Sequence, residues 1–181
     1  AITDRKGVLS RIDPDTNAPV AEIYLAGGAN AVVFDADALW ITSDEGNRLT
    51  RVNPHNNETV ETIEVGPKPG RLAVGEGGVW TLNRGNATVT RVDPATNKVV
   101  ATIAVGEGLA AGEIAAGLGS VWISAPGVPL VRIDPRTNRA VQRFTGDGGG
   151  AVLVAHDSLW VAAGPQLTWR LDALLVAAIR P

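Results

Sequence analysis

The sequence contains no cysteine and no methionine, and only two histidines, His55 and His156. Without cysteine, disulfide bonds, thiolate nucleophiles and thiolate metal ligands are excluded. The lack of methionine, together with alanine at position 1, predicts a mature form after signal removal or a fragment of a longer chain.

Long apolar runs and an excess of basic charge are also missing. No stretch approaches the roughly 18 apolar residues that a transmembrane helix requires. The formal net charge is −3, with both signs interspersed along the sequence. Because nucleic acids and anionic membrane surfaces attract basic patches, the composition predicts neither nucleic-acid binding nor membrane insertion.

The chain does contain a repeat with a period of about 40 residues, the mark of a repeat architecture. One tryptophan marks each unit, at Trp40, Trp80, Trp122 and Trp160. An Arg-Ile/Val-Asp/Asn-Pro element begins at Arg11, Arg51, Arg91 and Arg132, with a remnant "RLD" at Arg170. A glycine closes each unit, as in "EVG" (64–66) and "AVG" (104–106).

Each unit has the periodicity of strands. In the unit that starts at Arg71, the four apolar or alternating runs are "RLAVG" (71–75), "VWTLN" (79–83), "TVTRV" (88–92) and "KVVATIAVG" (98–106). Short Gly-, Asn- or Pro-rich segments separate them, and no segment resembles a capped helix. The pattern predicts an all-β protein with four antiparallel strands, a to d, per unit.

Inner runs such as "ALWIT" (38–42) are apolar at odd and even positions alike, so both faces of each sheet must be covered. Radial stacking of sheets achieves this, and the period is that of a β-propeller blade. We therefore predict one propeller domain over residues 1–181, with four complete blades and a partial N-terminal one. The predicted bounds are 1–25 for the partial blade (strands b to d) and 28–65, 68–105, 110–145 and 148–180 for the complete blades.

In the last predicted blade, the c–d turn shrinks to Asp172-Ala173, and "LLVAAI" (174–179) serves as strand d. Four blades and three further strands would leave an open arc with exposed sheet edges, which is an aggregation hazard. We therefore expect that a missing chain segment, a second copy or another subunit completes the ring.

The repeated Asp-Pro-x-Thr-Asn segment predicts a tight turn between strands c and d. Proline suits the second turn position, aspartate can accept backbone N–H groups, and asparagine tolerates the left-handed conformation. A Ca²⁺ ligand set is an alternative, and turn chemistry is the simpler interpretation.

Two other repeated side chains have structural interpretations. Tryptophan in every unit predicts core between blades, with an aromatic ligand box as the alternative. The arginines that lie two residues before Asp or Asn predict a ladder of local Arg–carboxylate pairs, with a basic recognition stripe as the alternative.

"RVDPATNKVVATIAVG" (91–106) and "GEIAAGLGSVWIS" (112–124) resemble the YVTN-type β-propeller repeat and its relative, the virginiamycin B lyase-like (streptogramin lyase) propeller. The resemblance covers nearly the whole chain. It implies a bacterial or archaeal seven-bladed propeller that is often exported, so we expect a periplasmic or extracellular location, with a cytoplasmic or sensor-domain context as the alternative.

The streptogramin lyases are metal-assisted, and the family pattern places His and Glu residues near the mouth of the central channel. Here His55 lies in a c–d turn and His156 in an a–b turn, both on the face opposite the usual site. No Gly-x-Ser-x-Gly element offers a nucleophile. The sequence therefore predicts no catalytic residues, no metal and no cofactor in this chain.

Ligands are expected at the top face, formed by the d–a and b–c loops, because loops on a rigid scaffold carry binding. Arg71 and Glu113 stand at the register position nine residues before a tryptophan, on adjacent blades. They predict either an inter-blade salt bridge or a polar patch that fixes a small anion or a peptide carboxylate. The further candidate ligand-binding residues in the loops are Asp44, Glu45, Asn47, Lys68, Arg84 and Asp147.

The leading functional prediction is a non-enzymatic binding or scaffold module that recognises a protein or small ligand at its top face. The alternative is a metal-dependent enzyme of streptogramin lyase or lactonase type, with its catalytic residues outside this chain.

Overall fold

A computed structural model describes residues 2–3, 7–35, 37–164 and 167–172. These residues form strands, turns and bends and contain no helix, and so include none with the length and hydropathy needed to cross a membrane. Every strand pairs antiparallel with its neighbours in the sheet. The all-β prediction is confirmed.

The strands form five sheets, called blades 1 to 5 in chain order. Blade 1 has β1 (Ile2–Thr3), β2 (Val8–Ile12) and β3 (Pro19–Tyr24). Blade 2 has β4 (Ala29–Asp35), β5 (Ala38–Ser43), β6 (Arg48–Asn53) and β7 (Glu58–Glu64). Blade 3 has β8 (Pro69–Gly75), β9 (Gly78–Asn83), β10 (Thr88–Asp93) and β11 (Lys98–Ala104). Blade 4 has β12 (Glu113–Gly117), β13 (Ser120–Ala125), β14 (Val128–Asp134) and β15 (Arg139–Phe144), and blade 5 has β16 (Val152–Ala155), β17 (Ser158–Gly164) and β18 (Leu167–Asp172).

The sheets are arranged around the first strand of each blade. In blades 2 to 5 the strands are hydrogen-bonded in sequence order, and the first strands β4, β8, β12 and β16 contact one another in that order. This is the predicted radial stacking. Asp172, the first residue of the predicted turn, ends β18, whereas Ala173 and the predicted strand "LLVAAI" (174–179) lie outside the described residues.

The core lies between successive blades. Trp40, Trp80 and Trp122 are fully buried, and each shares a buried cluster with apolar residues of the next blade. The indole N–H of Trp80 donates to the Gly75 carbonyl at 2.9 Å. The interpretation of the tryptophans as core between blades is confirmed for these three, whereas Trp160 in blade 5 is half-buried.

The c–d turns have the predicted chemistry. In the turn of blade 3, Oδ1 of Asp93 accepts the Ala95 N–H at 2.9 Å, and Oδ2 accepts the Thr96 hydroxyl at 2.8 Å. Asn97 has a left-handed φ of 57°, and its N–H donates to the Asp93 carbonyl at 2.8 Å. Because both carboxylate oxygens already accept hydrogen bonds within the turn, turn formation accounts for the motif without a bound ion.

The hydrogen-bonded turn carboxylates predict an acid-sensitive fold. The pKa values of Asp13, Asp93 and Asp134 are lowered from their usual value. The largest cause is that backbone N–H groups of the turn donate hydrogen bonds to these carboxylates. A lowered folded-state pKa adds stability above the unfolded-state pKa of about 3.9, and this contribution is lost as the pH falls through the folded-state pKa. We expect the Tm to fall below about pH 4 and the triple variant D13N/D93N/D134N to lose part of this dependence.

Asparagine is a suitable replacement because blade 2 already has Asn53 at this position, where its Oδ1 accepts the His55 N–H at 2.9 Å. The check is Tm against pH by circular dichroism for both proteins. An identical pH dependence in the triple variant would contradict this assignment.

The predicted ladder of local Arg–carboxylate pairs is wrong at Arg11, Arg51 and Arg91, which bond to the next blade instead. Nη1 of Arg51 donates to the Pro94 carbonyl and to Oδ1 of Asn97, both at 2.9 Å, in the c–d turn of the following blade. Arg91 bonds Pro135 and Asn138 in the same way. A register shift directly after each of Arg11, Arg51, Arg91 and Arg132 places the arginine at a bulge, a feature that re-aims side chains.

Candidate functional site

The d–a and b–c loops meet at one end of the blades, the top face. The N–H of Arg84, in a b–c loop, donates to the carbonyl of Lys68, in a d–a loop, at 3.0 Å. At the opposite end, Nε2 of His55 in a c–d turn lies 2.9 Å from Oδ1 of Asp37 in an a–b turn. The loops are therefore sorted between the two faces as the strand order predicts, with His55 on the bottom face.

An ion pair joins blades 3 and 4 at the top of their first strands. Arg71 lies near the start of β8 and Glu113 begins β12, and Nε of Arg71 is 2.8 Å from Oε1 of Glu113. The Thr42 hydroxyl of blade 2 donates to the carbonyl of the neighbouring Gly70 at 3.1 Å, which ties the start of β8 to the preceding blade. The predicted inter-blade pair therefore forms, and its side chains are 52% and 35% exposed.

A second, weaker ion pair lies beside the first. Nη2 of Arg84 is 3.8 Å from Oδ2 of Asp44, which belongs to the b–c loop of blade 2. The guanidinium of Arg84 lies so close over Gly70 that a side chain at this position would collide with it. Glycine at position 70 therefore allows Arg84 to lie across the backbone beside Arg71.

These side chains surround a depression of about 380 Å³, here called the polar pocket. Its lining includes Asn30, Arg71, Arg84 and Glu113, with the backbone of Gly70 and the small residues 110–112. The Asn30 side-chain amide donates to the Pro69 carbonyl at 3.3 Å. The pocket thus combines two guanidinium groups, one carboxylate and one amide, with a second carboxylate behind Arg84.

The sequence did not single out Asn30. It directly precedes Ala31, the blade 2 counterpart of Arg71 in the register that leads to each tryptophan. Extending that register by one residue would have found it.

The other predicted loop residues do not line the polar pocket. Oδ1 of Asn47 accepts the Lys68 N–H at 3.0 Å, and both residues have left-handed φ angles, so they link two loops. The side chain of Glu45 lies against Gly27. Asp147 borders a separate groove between blades 4 and 5 that also includes Phe144 and Trp169. Of the eight candidates, the structure brings together Arg71, Arg84 and Glu113, with Asp44 next to them.

No metal-binding cluster accompanies the pocket in the described part of the chain. Within those residues, no group of three or more His, Asp and Glu side chains is close enough together to hold an ion. His156 has a left-handed φ of 49° in the a–b turn of blade 5. The polar groups that the described residues bring to the pocket are guanidinium, carboxylate and amide groups.

Solved structures with similar backbones decide the fold. A solved structure of streptogramin B lyase matches 92% of this chain over 62% of its own length, with a TM-score of 0.69 and 13% identity. The fold is a β-propeller. The WD40 domain from Toxoplasma gondii coronin matches 86% of this chain and 48% of its own, with a TM-score of 0.67 and 14% identity. Hydrazine synthase from Kuenenia stuttgartiensis matches 70% of this propeller and 42% of its own chain, with a TM-score of 0.58 and 18% identity.

The propeller thus spans between 42% and 62% of the structures that it matches. At these identities the similarity shows the fold alone. No protein-family model matches the sequence, and no curated protein matches it either. The assignment to the YVTN-type repeat therefore stays a prediction.

Proposed function

We propose that this propeller is a binding module whose polar pocket recognises a carboxylate on a small ligand or at the C-terminus of a peptide. The observation that carries the proposal is the convergence of Arg71 and Arg84 on one depression of the top face. Arginine presents a fork of N–H donors that matches a carboxylate in bidentate geometry.

Several N–H donors of Arg71 and Arg84 form no hydrogen bond with other described residues. The ion pair with Glu113 engages Nε of Arg71, and no hydrogen bond within the described residues engages its two terminal nitrogens. Arg84 faces Asp44 at 3.8 Å, which is longer than a hydrogen bond. Both guanidinium groups therefore keep donors for an incoming carboxylate.

The acidic neighbours restrict the choice of ligand. Glu113 and Asp44 balance the charges of the two arginines, so the pocket offers little net attraction to an isolated anion. The C-terminus of a peptide also carries amide groups next to its carboxylate. These groups can form further hydrogen bonds with the side-chain amide of Asn30 and with the backbone of the loops, which adds to the binding free energy. We therefore favour a peptide C-terminus over an inorganic anion.

Titration of the propeller with a dipeptide whose C-terminus is free is expected to shift the backbone amide resonances of Gly70 and Gly112. The same dipeptide with an amidated C-terminus should shift them far less. Because a hydrogen bond to a charged group contributes about 1.5–3 kcal/mol, the variant R71Q should weaken binding by roughly tenfold or more.

The matched control is R139Q, which removes one exposed arginine from the outer strand β15. It should leave the affinity unchanged. Equal binding of the free and amidated peptides, or an equal loss in R71Q and R139Q, would overturn the proposal.

The alternative function is a metal-dependent enzyme of streptogramin lyase or lactonase type whose catalytic residues lie outside this chain. The similarity to a streptogramin B lyase favours it only at the level of the fold. We expect Mg²⁺ to leave the Tm of this chain unchanged. Because a ligand that binds only the folded state raises the Tm, a rise of several degrees would indicate metal ligands within this chain and weigh against a pure binding module.

The periplasmic or extracellular location belongs to this proposal as an inference from the resemblance to the YVTN-type repeat. A ligand-binding propeller in that compartment would meet small ligands or peptides directly. Detection of the protein in periplasmic, extracellular and cytoplasmic fractions of cells that produce it would test this location.

A further inference from the structure

One inter-blade contact recurs with nearly the same geometry at three successive interfaces, and we call it the arginine latch. In each case Nη1 of the repeated arginine donates to a proline carbonyl and to an asparagine Oδ1 in the c–d turn of the next blade. The two distances are 3.2 and 3.5 Å for Arg11, 2.9 and 2.9 Å for Arg51, and 2.6 and 2.8 Å for Arg91.

The donor half of the latch is present at the end of the arc formed by blade 5. Arg170 stacks over Trp160 with its guanidinium carbon 5.5 Å from the ring centre, as Arg132 does over Trp122 at 5.6 Å. Nε of Arg170 donates to the Ser158 hydroxyl at 3.0 Å. Arg170 therefore stacks on its tryptophan as the latched Arg51 and Arg91 do at 5.2 and 4.9 Å, and it has no acceptor turn among the described residues.

The acceptor half of the latch is present at the end formed by blade 1. Pro14 and Asn17 occupy the positions of Pro94 and Asn97, and Asn17 has the same left-handed conformation, with φ of 54°. No described arginine bonds them. In the three engaged turns the proline and asparagine are half-buried or buried, whereas Pro14 and Asn17 are exposed.

The two ends also expose apolar side chains. On blade 5, Leu153 pairs with Trp160 across the sheet and is 60% exposed, on the face where the other tryptophans pack against a following blade. On blade 1, Tyr24 is 77% exposed, and its neighbour Ile23 is buried in the cluster that faces blade 2. Since neighbouring strand residues point to opposite faces, Tyr24 lies on the outer face of the arc end.

We propose that a second copy of this chain docks head to tail, so that blade 1 of one copy packs on blade 5 of another. Arg170 of one copy then donates to the Pro14 carbonyl and Asn17 Oδ1 of the next, and Leu153 and Trp160 are covered. The two halves match because the chain builds the same interface between its own blades. Such a contact is heterologous, so it continues into a closed ring or an open filament.

The test is the mass of the 181-residue chain in solution, measured by analytical ultracentrifugation across a range of concentrations. The wild-type chain is expected to reach at least the dimer mass as the concentration rises. At exposed positions, R170Q removes the donor and N17G removes the side-chain acceptor while the Pro14 carbonyl stays, so both should shift the equilibrium towards monomer, R170Q more strongly. The control R139Q should assemble as the wild type does.

Mixing the two variants separates the latch from unspecific association. R170Q keeps an intact acceptor end and N17G an intact donor end, so an equimolar mixture should form a heterodimer that grows no further. A wild-type chain that stays monomeric, an assembly that survives both substitutions, or a mixture that forms no heterodimer would overturn the proposal.

Discussion

Replacing Trp80 or Trp122 by alanine is expected to lower the free energy of unfolding by about 3–5 kcal/mol. Both indoles are fully buried between blades and share clusters with Ile114 and Val152, respectively, of the next blade. Truncation removes this apolar contact and leaves a cavity that the two facing sheets cannot close. It also removes the indole donor to the carbonyl of Gly75 or Gly117.

Urea unfolding followed by far-UV circular dichroism measures this loss, with the slope of the transition as a check on two-state behaviour. The matched control is Trp169→Ala, because Trp169 is 38% exposed in β18 and its truncation should cost clearly less. A loss below about 1 kcal/mol for Trp80→Ala would contradict its role in the core.

Much of the fold follows from the repeat because one blade is a local object. The turn at 93–97 depends on the conformations of proline and asparagine and on a carboxylate two residues from its donor, all of which a single unit displays. Burial of the tryptophans follows from strands that are apolar on both faces, since such a sheet needs a neighbour on each side. These features require no knowledge of which residues meet across blades.

The arginine latch could not be predicted from one unit. Arg51 has Asn53 two residues ahead, but its partner Asn97 lies in the next repeat, on the turn of another blade. Sequence reasoning explained Asn97 by its left-handed φ alone and left its amide without a role. The structure shows that the same residue ends the turn and accepts the arginine.

The candidate site also has one contact that the sequence predicted and others that it did not. Arg71 and Glu113 were predicted to meet because register places both at the start of innermost strands, and they lie 2.8 Å apart. The approach of Arg84 to Asp44 depends on loop conformation and on the space above Gly70. Asp147 was predicted to join the same site because it also lies in a d–a loop. In the structure, the loop between blades 4 and 5 places it at a different groove.

Replacing Arg91 by glutamine is expected to destabilise the propeller by about 2–3 kcal/mol, chiefly through lost charge-assisted hydrogen bonds. Arg91 donates to Pro135 and Asn138 at 2.6 and 2.8 Å and to Gly77 at 3.0 Å. Its guanidinium carbon also lies 4.9 Å from the ring centre of Trp80, an arrangement that adds about 0.5–1 kcal/mol. The loss appears as a lower urea midpoint with an unchanged slope.

A double-mutant cycle with Asn138→Gly isolates the bond between Arg91 and Asn138, one of the two that cross the blades. Glycine accepts the left-handed φ of 54° at position 138, so this substitution removes the amide while it retains the turn conformation. If the latch couples blades 3 and 4, R91Q should cost less in the glycine background, with a coupling energy of about 0.5 kcal/mol or more. Strict additivity would mean that the bond to Asn138 contributes nothing specific, and that Arg91 acts through the Pro135 carbonyl, Trp80 and its own blade.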